Sequence, residues 1–206
     1  MNIHALLQLV ASSMLINNIV FTLLIGFCPL CGAYRRLSGA AWMGVAVTIV
    51  MGTTASCCWV INQYVLVPRS AQYLHTLVFI LVIVSLVQLL EMVLEKFFPW
   101  LYEAIGVYLP VIATNCSVLA ICLLSVGANP VTGRPFTFVE ALVNGIASGA
   151  GFLLALVLIS GVRHRLELSN VPAAMRGLPI IFLSAGLISL AFLGFTGLSF
   201  APMFGG

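Results

Sequence analysis

Two cysteines stand beside helix-breaking or polar residues in otherwise apolar sequence. One is Cys28, in Gly26-Phe27-Cys28-Pro29-Leu30-Cys31-Gly32; the other is Cys116, which closes Leu109-Pro110-Val111-Ile112-Ala113-Thr114-Asn115-Cys116. Proline has no N–H to donate and clashes with the preceding helical turn. Thr114 and Asn115 carry polar groups that hydrocarbon leaves unsatisfied. Thiolates ligate iron–sulfur clusters and soft metals, and a four-cysteine centre needs twice what this pair supplies. The other reading is two buried thiols packing as small hydrophobes, and the residue types leave both open. Cys28-x-x-Cys31 has the spacing of a redox dithiol or half a metal knuckle, but no second such motif and no βαβ pattern accompany it. Cys57, Cys58 and Cys122 lie in plain apolar segments and read as helix-packing residues.

The elements that must position these thiols are membrane helices. Of 206 residues 62% are hydrophobic and 6% charged, with a mean hydropathy of +1.20. That composition excludes a soluble domain and specifies an all-α polytopic membrane protein. The net charge of +3 is too small to imply nucleic acid. No basic n-region precedes the first apolar stretch, so no cleavable signal is expected. Six spans are predicted, at about 6–34, 40–61, 74–94, 101–126, 138–162 and 178–198. As one continuous helix the first would reach about 43 Å against a hydrocarbon core of about 30 Å. A broken helix explains the excess; a strong tilt or an extension beyond the lipid is the alternative.

Basic residues give the orientation. Arg35, Arg36, Lys96, Arg163, Arg165 and Arg176 fall in loops one, three and five, whereas only Arg69 and Arg134 fall in loops two and four. Six against two puts the odd loops in the cytoplasm and both termini outside. With three spans per half, the second half enters from the opposite face, so related halves must be inverted repeats, about 1–97 and 98–206 of a single membrane domain. One interrupted segment per half is the usual pointer to the functional site of such a protein. The second spans also match loosely: Ala41-Trp42-Met43-Gly44-Val45-Ala46 resembles Ala141-Leu142-Val143-Asn144-Gly145-Ile146-Ala147, with one residue inserted. Small residues there let helix backbones approach closely.

Other polar residues have simpler roles beside functional ones. Glu91, about one turn from the end of span three, is either an intramembrane functional carboxylate or a side chain reaching for the interface. Glu140 suits a helix N-terminus. Asn17, Asn18 and Asn115 are expected to tie helices together by hydrogen bonds. Arg35-Arg36 and Arg163-His164-Arg165 anchor the topology, and His4 and His75 show no ligand spacing.

Over almost its whole length the chain resembles the RnfA/NqrE family, membrane subunits of Rnf-type ion-translocating oxidoreductases and of sodium-pumping quinone reductases. The resemblance rests on Ile16-Asn17-Asn18, Gly26-Phe27-Cys28-Pro29, Gln88-Leu89-Leu90-Glu91-Met92, Leu109-Pro110, Thr114-Asn115-Cys116, Asn170-Val171-Pro172 and Arg176-Gly177. Asn170 stands where the pattern usually has Asp, and Cys31 where it has a residue without a thiol. The resemblance implies six spans in two inverted three-helix repeats with interrupted first and fourth helices. It implies a homologous RnfE-type partner inserted the opposite way. It further implies one [2Fe–2S] cluster shared between the two, for which the matching positions here are Cys28 and Cys116. Such a chain is a subunit of an ion-translocating oxidoreductase in the bacterial inner membrane, with both termini periplasmic and no complete active site of its own. The cluster would relay electrons between cytoplasmic flavin- and iron–sulfur-carrying subunits and covalently bound periplasmic flavins, coupled to Na⁺ or H⁺ movement. The residues by themselves also accommodate a small inverted-repeat transporter, or a membrane dithiol oxidoreductase using Cys28 and Cys31.

Overall fold

The computed structural model describes residues 3–16, 18–23, 25–26, 37–68, 72–97, 99, 102, 112–127, 133–167 and 177–196. Regular structure among them is helical: α1 (Ile3–Ala11), α2 (Ile19–Leu23), α3 (Leu37–Ile61), α4 (His75–Phe97), α5 (Cys116–Val126), α6 (Phe138–Glu167) and α7 (Leu178–Thr196). The stretches Gly39–Leu66, His75–Phe97 and Phe138–Leu166 are long and apolar enough to cross a membrane. The 25 residues of α3 and 30 of α6 give about 38 and 45 Å of helix, more than a core of about 30 Å requires. By contrast the 11 residues of α5 give only about 16 Å.

α3 and α6 form the central pair. Gly44 meets Leu153, Thr48 meets Gly149 and Met51 meets Gly145; the opposed register makes the helices antiparallel. A Cβ added at Gly149 would lie 2.6 Å from the Thr48 Cα, and one at Gly145 would lie 2.9 Å from the Met51 carbonyl oxygen. The small residues of the second spans therefore do bring two backbones into contact, where lipid-embedded helices gain packing energy. The start of α6 is capped by Glu140, whose carboxylate accepts from the Thr137 N–H at 3.0 Å, as a capping box does. At its other end the helix continues beyond the predicted limit, through Arg163 and Arg165 to Glu167, where cations suit the negative end of the dipole.

The outer helices bury narrow faces. α4 buries Phe79, Ile83 and Val87, one stripe at four-residue spacing, while Leu77, Leu81, Leu89 and Met92 are exposed. α7 rests on α2, with the Phe21 and Phe192 rings 4.6 Å apart and the Ser189 hydroxyl donating to the Phe21 carbonyl.

Among the described residues the first segment is interrupted at Asn18. α1 runs into a π-helical turn, Ser12–Ile16, and the chain is out of helix at Asn18 before α2 begins. Asn18 Oδ1 accepts from the Val20 N–H at 3.1 Å and so caps α2. Its Nδ2 donates to the carbonyls of Gly151 at 3.0 Å and Met14 at 3.2 Å, which fastens the break to α6. A short polar side chain that bonds nearby backbone offers the chain an alternative to the helical ladder. The expectations placed on Asn17, Cys28-Pro29, Cys31, Arg35-Arg36, Arg69, Leu109-Pro110, Asn170-Val171-Pro172 and Arg176 lie outside the described residues.

Candidate functional site

α5 starts abruptly. Ile112 and Ala113 are helical, Thr114 turns, and Asn115 takes an extended conformation with φ −73° and ψ 115°. As N-cap, Asn115 accepts from the Ser117 N–H through Oδ1 at 3.0 Å, and its own carbonyl receives the Val118 N–H at 3.1 Å. Cys116 is therefore the first helical residue, and its side chain is exposed. That exposure departs from the reading of a buried packing thiol.

The interrupted segment of the first half comes to this point. The Gly26 N–H donates to Cys116 Sγ at 3.1 Å, and the Ser117 hydroxyl donates to the Ile25 carbonyl at 3.1 Å. Gly26 has φ +88°, and a Cβ there would overlap the Ser117 hydroxyl and lie 3.1 Å from the Phe152 ring. Only glycine adopts that backbone freely and admits so close a neighbour. Two hydrogen bonds thus join the two segments in opposite directions.

The local field suits an anion. The N–H groups at a helix N-terminus carry partial positive charge, and a further backbone N–H already points at the sulfur. Asn115 is 3% exposed, and its Nδ2 has no hydrogen-bond partner among the described residues. An exposed thiol that receives a backbone N–H at a helix N-terminus has the chemistry of a ligand to a metal–sulfur group. Among the described residues, no set of three or more His, Cys, Asp or Glu could hold a metal, so Cys116 would need ligands from elsewhere. Cys28 is two residues along the chain from Gly26 and lies outside the described residues.

The remaining candidates separate from this junction. Cys58 and Cys122 are fully buried, in the core where α3 meets α5; Cys57 is half-buried next to Cys58 in the chain. They pack α3 against α5, as expected. Glu91 is half-buried on α4. His75 Nε2 lies 2.8 Å from Asn62 Oδ1, a tie between the ends of α3 and α4. The Ser13 hydroxyl donates to Asn144 Oδ1 at 2.7 Å, and Asn144 Nδ2 reaches the Ser125 hydroxyl at 3.5 Å, which links the first segment, α5 and α6. Sequence reasoning misses Gly26 as a backbone donor and Ser117 as its latch. The Gly before Phe-Cys-Pro is an available signal; nothing local marks Ser117.

A family model described as "Rnf-Nqr subunit, membrane protein" matches residues 6–199. The chain is 44% identical over 193 residues to the A subunit of the Na(+)-translocating ferredoxin:NAD(+) oxidoreductase complex of Acetobacterium woodii, covering 94% of this chain and 97% of that one. It is 45% identical over 193 residues to the A subunit of the ion-translocating oxidoreductase complex of Syntrophotalea carbinolica, with the same coverage. The corresponding protein of Serratia proteamaculans is 44% identical over 192 residues, or 93% of this chain and 96% of that one.

Proposed function

We propose that this chain, which belongs to the Rnf-Nqr family of membrane subunits, supplies Cys28 and Cys116 as two of the four thiolate ligands of a [2Fe–2S] cluster. The remaining ligands come from a homologous, oppositely inserted RnfE-type subunit. The chain is a membrane subunit of an ion-translocating oxidoreductase complex, the assembly for which its relatives are named. In this reading it is a six-span inverted repeat of the bacterial inner membrane, with both termini periplasmic.

The observation that carries the reading is the junction at which the Gly26 N–H meets the exposed thiol of Cys116. Cysteine kept only for packing would be buried, as Cys58 and Cys122 are. The geometry also supports a mid-membrane position. α5 ends at Val126, and a helix of about 16 Å from an interface reaches about half-way into a core of about 30 Å.

A cluster bound here supplies one-electron transfer between donors and acceptors on the two sides. This chain's residues hold and shape the site. The Cys116 sulfur is fixed at the first turn of α5 by the Asn115 cap. Ser117 latches the turn to Ile25, so the two interrupted segments keep one separation. The Gly26 N–H and the helix N-terminus stabilise negative charge on sulfur without a cation.

Electron paramagnetic resonance on the reduced, purified complex tests the assignment. Cys116→Ser should remove or severely weaken one [2Fe–2S] signal, because a hydroxyl is a harder and less acidic ligand than a thiol. The chain expressed alone should hold no stable cluster. A solute transporter or a Cys28/Cys31 dithiol enzyme would show no dependence of iron content on Cys116. An undiminished signal in an assembled Cys116→Ser complex would sink the reading.

A further inference from the structure

We infer that Ser117 is a positioning residue for the redox group: by holding the Ile25 carbonyl it keeps the Ile25–Gly26 peptide turned with its N–H on the Cys116 sulfur, and so makes the iron–sulfur group held through Cys116 easier to reduce. The inference rests on the cluster reading above and adds to it a residue that ligates nothing.

The two contacts between the interrupted segments converge on a single peptide. The Ser117 hydroxyl donates to the Ile25 carbonyl at 3.1 Å, and the Gly26 N–H donates to Cys116 Sγ at 3.1 Å. That carbonyl and that N–H belong to one planar unit, so consecutive residues of α5 grip it at both ends. Ser117 is fully buried, which puts its hydroxyl out of reach of solvent.

Held at neither end, the peptide has two orientations. A concerted rotation of Ile25 ψ and Gly26 φ turns it over and exchanges its N–H and carbonyl, with little change in the chain path, as between type I and type II turns. Gly26 has φ +88°, but glycine takes either sign at little cost and does not choose by itself. Turned over, the peptide would present its carbonyl oxygen to the sulfur and set two negative groups against each other. The Ser117 hydroxyl binds the carbonyl elsewhere and so selects the orientation that gives the sulfur a donor. Accepting a hydrogen bond at the carbonyl also polarises the unit and strengthens its N–H as a donor. Capping does not call for this hydroxyl, since Asn115 Oδ1 caps α5 through the Ser117 backbone N–H at 3.0 Å. Hydrogen bonds to the sulfurs of a cluster tune its reduction potential, and a donor favours the reduced, more negative state.

The test is a redox titration of the assembled complex, followed by electron paramagnetic resonance, with wild type and Ser117→Ala. The variant removes the hydroxyl and little volume. It should assemble, retain the cluster and shift the reduction equilibrium about tenfold against the reduced form, about 59 mV for a one-electron couple. Pulsed electron paramagnetic resonance on complex grown with ¹⁵N-labelled glycine gives a readout that a purely structural role does not move. A weak coupling from the Gly26 peptide nitrogen to the reduced cluster should be present in wild type and lost in Ser117→Ala. An unchanged midpoint, or the same glycine spectrum in both proteins, overturns the inference. A Ser117→Ala complex that fails to assemble overturns it too, since the hydroxyl is then a packing element. Failure of the cluster reading is distinguishable: it appears as a Cys116→Ser complex that keeps its signal, whatever position 117 does.

Discussion

Gly26 and Cys116 lie 90 residues apart, and the Gly26 N–H donates to the Cys116 sulfur at 3.1 Å. A φ of +88° and the missing Cβ let the glycine backbone and the Ser117 hydroxyl share that space. Gly26→Ala adds left-handed strain and a steric overlap. It should destabilise the protein by about 1–3 kcal/mol, measured as a lower thermal midpoint of the complex. Adding Ser117→Ala relieves only the overlap, so the double variant should recover part of the loss.

The thiols should differ in reactivity. With the chain expressed alone and solubilised in mild detergent, labelling by a membrane-permeant maleimide read by peptide mass should modify the exposed Cys116 faster than the buried Cys58 and Cys122. In the iron-loaded complex Cys116 should be protected. Cys58→Ala and Cys122→Ala should each cost about 1 kcal/mol, the order of a small deletion in a packed core, and Cys31→Ala should keep the cluster signal. Labelling of Cys122 in preference to Cys116 would reverse the assignment.

The α3–α6 contact should be the least tolerant of added volume. Gly149→Leu pushes against the Thr48 backbone and should abolish monodisperse assembly in size-exclusion chromatography, since overpacking costs about 1–3 kcal/mol or more and here meets backbone. At Gly161, in the same helix, an added Cβ would meet nothing within 4 Å. Gly161→Ala should therefore be neutral or stabilise by about 0.5–1 kcal/mol through helix propensity.

Asn18 should matter through both ends of its side chain. Asn18→Ser keeps a cap for α2 and loses the tie to Gly151, a change of about 1 kcal/mol for an interhelical bond in lipid. Asn18→Ala loses the cap as well, and should cost about 1 kcal/mol more. Equal thermal midpoints for the two variants would show that the cap contributes nothing.

Orientation follows from the basic residues. Reporter fusions at Gly206 should place the C-terminus outside, and cysteine accessibility should place Arg163–Arg165 in the cytoplasm, because six basic residues against two favour that arrangement. A cytoplasmic C-terminus would reverse it.

The long elements are legible from residue order because each is specified locally. Twenty or more apolar residues bounded by polar ones make a membrane helix whatever surrounds them, and α3, α4, α6 and α7 start or stop within a few residues of the predicted limits. Glu140 at the start of α6 and the small residues along α3 and α6 are equally plain, since a cap and the capacity for close approach each follow from residue type; that these two helices face each other is a tertiary fact. Cys116 stands out because a thiol beside Thr and Asn is anomalous in hydrocarbon.

What residue order does not disclose is every relation between distant residues. Pro29 draws attention to Cys28, but the break among the described residues falls at Asn18, where a side chain that can cap α2 also finds the Gly151 carbonyl on another helix. Local sequence offers Asn17, Asn18 and Asn115 as similar polar residues. Tertiary packing satisfies the Asn18 amide and leaves that of Asn115 open. It likewise buries Cys58 and Cys122 together while exposing Cys116. Burial and hydrogen-bond satisfaction depend on what other segments bring to a residue. The sequence therefore determined which groups could do chemistry, and only the meeting of two interrupted segments decided where one of them stands and that the Gly26 N–H meets it.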